Sequence, residues 1–148
     1  MILETIPEAV TDPYLVFIIE NKKERTETAG IYKKLKLTAK VKLMNSGSGL
    51  LTYLENANPE LLPSLIVLYF DMSQINQAAN LLLLKENVRY KNIPILIYSD
   101  SMNYQEEKDW LKMGATFCRR KRKTKEGVQQ SLIEFISLAD ILHEELLR

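Results

Sequence analysis

PSLIVLYFDMSQ, residues 63–74, begins as a buried strand and stops in a polar turn. Leu65, Ile66, Val67 and Leu68 form an unbroken apolar run, the pattern of a strand covered on both faces. An aromatic pair, Tyr69 and Phe70, and one carboxylate, Asp71, follow. In an open sheet flanked by helices, ligands bind beyond the carboxyl ends of the strands, so any chemistry is expected at residues 69–71.

Outward from that strand, short apolar runs alternate with stretches of helical period. We read strands at 14–19, 40–44, 64–69, 94–98 and 116–119, and helices at about 22–36, 47–56, 74–88, 102–113 and 124–147. This alternation specifies a parallel sheet with helices on both faces. The second run is more mixed than its neighbours and suits a sheet edge. In the final helix Val128, Leu132, Phe135, Ala139, Leu142 and Leu146 fall in steps of four and three, which makes them one stripe for docking on the sheet. Ile133, Leu138, Ile141 and Leu147 lie off that stripe and offer apolar surface to a homodimer partner. Trp110 and Met113, spaced i, i+3, are expected in the core.

The chain has 148 residues, enough to bury a core, and a single domain spanning 1–148 is expected, with 1–12 as a segment before the first strand. Hydrophobic residues make up 46% and charged ones 26%, the balance of a globular protein. The 20 basic and 19 acidic side chains nearly cancel, so no global field draws the chain to nucleic acid or to a membrane. No apolar stretch approaches the roughly 18 residues of a membrane span. Residues 1–12 carry acids and a proline in place of a basic and then apolar leader, so the expected setting is cytoplasmic. Cys118 and His143 are each alone, which argues against a disulfide, a Cys/His zinc site and a Cys–His pair. Gly47 and Gly49 are too sparse for a phosphate cradle.

Three further stretches carry a family resemblance. VKLMNSGSGLLTYL (41–54), KNIPILIYS (91–99) and MGATFCRRK (113–121) resemble the second strand and following helix, the fourth strand with its terminal hydroxyl, and the Gly-Ala turn with the fifth strand and its lysine in CheY-like receiver domains of bacterial response regulators. The resemblance implies a flavodoxin-like (βα)5 three-layer sandwich with a parallel five-stranded sheet of order 2-1-3-4-5. It also implies a module of two-component or phosphorelay signalling that meets a histidine kinase or a downstream effector and is not an enzyme.

Receivers of this family take a phosphoryl group onto an aspartate at the end of the third strand. Acids hold Mg²⁺ there, while a lysine and a hydroxyl contact the phosphate. Tyr69 stands at the acceptor position, and a phenol with a pKa near 10 and a single oxygen cannot replace a carboxylate in that role. Ile19 and Glu20 stand where the family has two acids, and Ser99 and Lys121 match its hydroxyl and lysine. Asp71 falls two residues late, on the side of Tyr69 if the extended geometry continues, and reads first as a turn or cap residue. With only Glu20 and Asp71 as candidate metal ligands, no cofactor is expected, and Mg²⁺ held by those two acids is the weaker alternative. Cys118 matches the aromatic relay position, with Phe117 beside it, and reads as a small core residue rather than a reactive thiol. Outside the family pattern, Ser99 reads as the cap of the helix that begins near Met102.

Arg119, Arg120, Lys121, Arg122, Lys123 and Lys125 make the densest charge cluster. It reads as a solvated loop or, functionally, as a docking patch for an acidic protein surface. Nucleic acid is the less favoured partner, because no interleaved aromatics supply base stacking. The leading expectation is therefore a receiver-like module that is not phosphorylated at the usual site and acts through protein contact. The alternatives are a small ligand held by Glu20, Asp71, Ser99 and Lys121, or nucleic-acid contact through the cluster at 119–125.

Overall fold

The apolar runs become parallel strands because each offers side chains to both faces of a sheet, and helices on both sides bury them. The computed structural model describes residues 12–70 and 76–147. In chain order the elements are β1 (Leu15–Ile18), α1 (Lys22–Lys34), β2 (Val41–Met44), α2 (Gly47–Asn56), β3 (Leu65–Phe70), α3 (Asn76–Glu86), β4 (Ile95–Ser99), α4 (Tyr104–Lys112), β5 (Phe117–Arg120) and α5 (Lys125–Leu147). Short 3₁₀ turns at Thr38–Lys40 and Pro59–Leu61, absent from the sequence reading, lead into β2 and β3.

The five strands are parallel in the order β2-β1-β3-β4-β5. This is the expected flavodoxin-like topology, with β2 at an edge as its mixed sequence suggested. Register places Tyr69 beside Tyr98 on β4 and Ser99 beside Arg120 on β5. Period-two alternation then divides the core. Phe17, Val67, Tyr69 and Tyr98 face α1 and α5, where they meet Tyr32, Leu132 and Phe135. Val16, Ile66, Leu68 and Ile97 face α2, α3 and α4, where they meet Leu50, Leu81 and Trp110. Each fully buried Leu, Ile or Phe contributes about 1.5–3 kcal/mol of apolar transfer.

On α5, Leu132, Phe135 and Ala139 are buried, and Val128 and Leu142 pack beside them, as the stripe implied. Two of its neighbours join them. Ile136 is buried, and Leu138 packs against the same core instead of offering a free face to a dimer partner. Ile133 and Ile141 are exposed, at 39% and 54%. The Tyr32 hydroxyl donates to the Leu132 carbonyl at 2.9 Å, tying α1 to α5 on one face of the sheet. No helix among the described residues is long and apolar enough to cross a membrane.

Glycine is required at two close approaches. A Cβ on Gly47, the first residue of α2, would lie 1.9 Å from Asn80 Oδ1 on α3. Gly114, in the turn between α4 and β5, has φ +113°, and a Cβ there would lie 2.9 Å from Lys85 Cγ. Lys85 is itself anchored, its Nζ donating to the Lys91 carbonyl at 3.1 Å. Gly114→Ala therefore combines backbone strain with displacement of the Lys85 stem, and is expected to lower unfolding free energy by about 1–3 kcal/mol. Urea unfolding would measure this, and an unchanged midpoint would show that the turn relaxes freely.

Candidate functional site at the carboxyl end of the sheet

Tyr69 is the penultimate residue of β3, and strand alternation turns its ring toward α1 and α5. The residue is only 2% exposed. Its ring centroid lies 5.6 Å from that of Tyr98. The hydroxyl donates to Asp100 Oδ1 at 2.6 Å, within the range of a charge-assisted O–H···O⁻ bond. The phenol at the end of β3 is thus packed and engaged from within. Asp71 lies outside the described residues.

Lys121 follows β5, and its amide donates to the Ser99 carbonyl at 2.7 Å, extending the β4–β5 ladder by one step. Its ammonium reaches Glu24 Oε2 at 2.6 Å and sits 5.6 Å from the Tyr69 ring centroid, in cation–π range. The two side chains of this pair are 20% and 24% exposed, so solvent screens their attraction less than it does a surface pair. Glu24 occupies the third position of α1. Its amide is capped by Asn21 Oδ1 at 3.0 Å, which leaves its carboxylate for Lys121.

At the first acidic position of the family pattern, Ile19 is 1% exposed and belongs to the apolar core. Its carbonyl and that of Glu20 both accept from Arg25 Nη1, at 2.9 and 3.2 Å, which fixes the β1–α1 turn. Glu20 is half-buried. Among the described residues no three carboxylate, histidine or cysteine side chains gather as a metal site would need. If Ile19 and Tyr69 hold the positions the resemblance implies, the described residues there offer Mg²⁺ an apolar side chain and a phenol in place of carboxylates, and do not fit that ion.

Ser99 is 1% exposed, and its hydroxyl donates to the Ser101 carbonyl at 2.9 Å. The expectation that Ser99 caps the next helix is corrected. Asn103 is the cap of α4, in a reciprocal capping box with Glu106. Cys118 is buried on the α4 side of the sheet, and Phe117 turns to the opposite side. Burial, with Glu107 nearby, pushes the Cys118 thiol up to about 11, so it stays protonated and inert at neutral pH.

The basic cluster is divided by its ion pairs. Lys121 is drawn inward to Glu24, and Arg119 Nε lies 3.6 Å from Glu134 in an exposed pair of small energetic weight. Arg120, Arg122, Lys123 and Lys125 are exposed and form no ion pair among the described residues. Arg122 and Lys123 stand between two hollows. One, of ≈ 600 Å³, opens between α1 and the start of α5, and the other, of ≈ 630 Å³, lies toward Asp100 and the start of α4.

No protein-family model matches the sequence, and no curated protein matches it. Solved structures do. The receiver domain of a Francisella response regulator superposes with a TM-score of 0.66 at 17% identity, over 91% of this chain and 99% of that one. A phosphorylated cyanobacterial phytochrome response regulator gives 0.67 at 17% identity, over 86% and 94%. A response regulator in red light signaling of R. palustris gives 0.70 at 12% identity, over 84% and 91%. The fold is the receiver fold.

On this receiver fold the structure brings Tyr69 and Lys121 together, and the sequence reading did not name the residues that engage them. Asp100 immediately follows Ser99, so its place at the sheet end was readable. Glu24 follows Asn21 by three residues, the spacing of a helix start. Arg25 and Tyr98 gave no signal beyond helix and strand membership. The Ser99 hydroxyl closes a local turn with Ser101, whereas the Lys121 ammonium goes to Glu24.

Proposed function

We propose that this chain is a receiver-like signalling module of a two-component or phosphorelay system that is not phosphorylated at the end of β3 and acts by protein contact. The observation that carries this reading is the pair of internal bonds at the site. The Tyr69 hydroxyl is committed to Asp100 and the Lys121 ammonium to Glu24. The two groups at the acceptor and lysine positions are thereby occupied by the protein's own side chains. On this reading the domain catalyses no reaction, and its output is the shape and charge of the surface around β5.

The partner is a histidine kinase or a downstream effector presenting an acidic face. Arg120, Arg122, Lys123 and Lys125 supply complementary charge, which governs encounter rate and register more than final affinity. Separation of this group from Arg119 and Lys121 by ion pairs favours a compact acidic protein patch over a continuous phosphate backbone.

Incubation of the purified chain with Mg²⁺ and acetyl phosphate, followed by intact-mass measurement, tests the central claim. The mass is expected to remain unchanged. A stoichiometric adduct, stable in acid and lost in base, would overturn it, and mapping that adduct to Asp71 would show that the acceptor had moved along the chain.

A further inference from the structure

The hollow between α1 and the start of α5 has the composition of a binding site. Its ≈ 600 Å³ lies within the ~300–1,000 Å³ typical of small-molecule pockets. Apolar side chains, among them Ile31, Leu35, Val128 and Leu132, form much of its wall. Lys34, Arg122, Lys123 and Lys125 line it as cations, against Glu27 and a Glu24 already paired with Lys121. Excess positive charge therefore meets an apolar interior.

The Tyr98 hydroxyl supplies an independent observation. Tyr98 is 3% exposed and lines this hollow, and its hydroxyl has no hydrogen-bond partner among the described residues. A buried hydroxyl left unmade forfeits hydration without compensation. Its ring is held edge-on by Phe135 at 5.1 Å, so the hydroxyl cannot swing away to find a partner without loss of packing. Burial, with Asp100 and Glu24 close by, raises the phenol well above its ordinary value and outweighs the opposing Arg122, so the group is a permanent donor.

Gly30 completes the site. It lies inside α1, where glycine is a poor helix former, yet a Cβ there would meet nothing within 4 Å. The absent side chain leaves the wall of the hollow open at that point.

We propose that this hollow binds a small amphipathic anion, a flat apolar body bearing a carboxylate, sulfonate or phosphate, with the Tyr98 hydroxyl donating to the ligand and the cations around Arg122 holding its charge. Of the groups expected to hold a ligand from the sequence, Lys121 lines this hollow, which Ile19 and Tyr69 also border, so it adjoins the end of β3. It does not depend on whether the end of β3 accepts phosphate.

The test is a fluorescence and calorimetric titration of the intact chain with 8-anilino-1-naphthalenesulfonate, an anionic aromatic probe. Saturable binding at one site is expected, weakening as ionic strength rises. Gly30→Leu, which projects a side chain into open space on a helix, should stay folded by circular dichroism and lose about tenfold or more in affinity. Tyr98→Phe, which keeps the ring and removes the hydroxyl, should weaken binding by roughly threefold to tenfold. Absence of saturable binding would overturn the proposal. So would a folded Gly30→Leu variant that binds as tightly as the parent, or an unchanged affinity in Tyr98→Phe.

Discussion

Tyr69→Asp is expected to cost the fold at least about 4 kcal/mol at neutral pH and to restore no phosphate acceptance. Removing a large buried ring leaves a void worth about 3–5 kcal/mol in comparable truncations. This ring is 2% exposed and packs on Tyr98, with the Lys121 cation above its face. The introduced carboxylate would face apolar walls and the charge of Asp100, which disfavour its ionised form and outweigh the Lys121 ammonium, whose charge is already paired with Glu24. Its pKa would rise in the folded state, so the protonated form is tolerated at low pH and the deficit deepens as pH rises above about 4. Tyr69→Phe separates the two contributions. It keeps the ring and loses the hydroxyl's bond to Asp100, which is exposed and regains water, and should cost about 1 kcal/mol. Urea unfolding of both variants, with intact-mass measurement after a phosphodonor, gives the comparison. A Tyr69→Asp variant as stable as the parent and readily phosphorylated would mean that the ring is an incidental occupant of a working site.

Phe135→Ala should be nearly as damaging, at about 3–5 kcal/mol. Phe135 is 1% exposed, stands edge-on to Tyr98 at 83° and lies 6.0 Å from Phe17. It is the point where α5 locks onto β1 and β4 together. Ile133, two residues earlier on the same helix but 39% exposed, provides the contrast, and its replacement by alanine should stay within about 0.5 kcal/mol of the parent. Chemical denaturation of the two variants measures the difference directly. Equal effects would mean that α5 does not dock through its stripe.

The strands were legible because β1, β3 and β4 bury both faces and so read as unbroken apolar runs, and β2 as an edge because it is mixed, while the full order came from the family resemblance. Helix ends were less so. The first helix was expected to reach residue 36 but closes at Lys34, with Lys36 in the left-handed region at φ 60°, a reversal that periodicity does not encode. For the site, the position of Tyr69 could be read, because it falls near the end of an obvious strand. Its partners could not be paired with it. Asp100 is 31 residues away, and Glu24 is 97 residues from Lys121, so both bonds exist only once three strand ends lie side by side. The cap of α4 was misassigned to Ser99, although the Asn103-x-x-Glu106 spacing of a capping box stood in the sequence.

The position of β5 at the outer edge of the sheet gives its arginines a second consequence. A strand at an edge leaves half its peptide groups unpaired, a template on which an extended segment of another copy could add itself. Exposed Arg119 and Arg120 sit on that rim, and exposed Lys42 guards the opposite one on β2. Like charges brought face to face repel, so these rims resist edge-to-edge growth into fibrils. Neutralising Arg120 would therefore cost colloidal stability even for a chain that had met no partner at all.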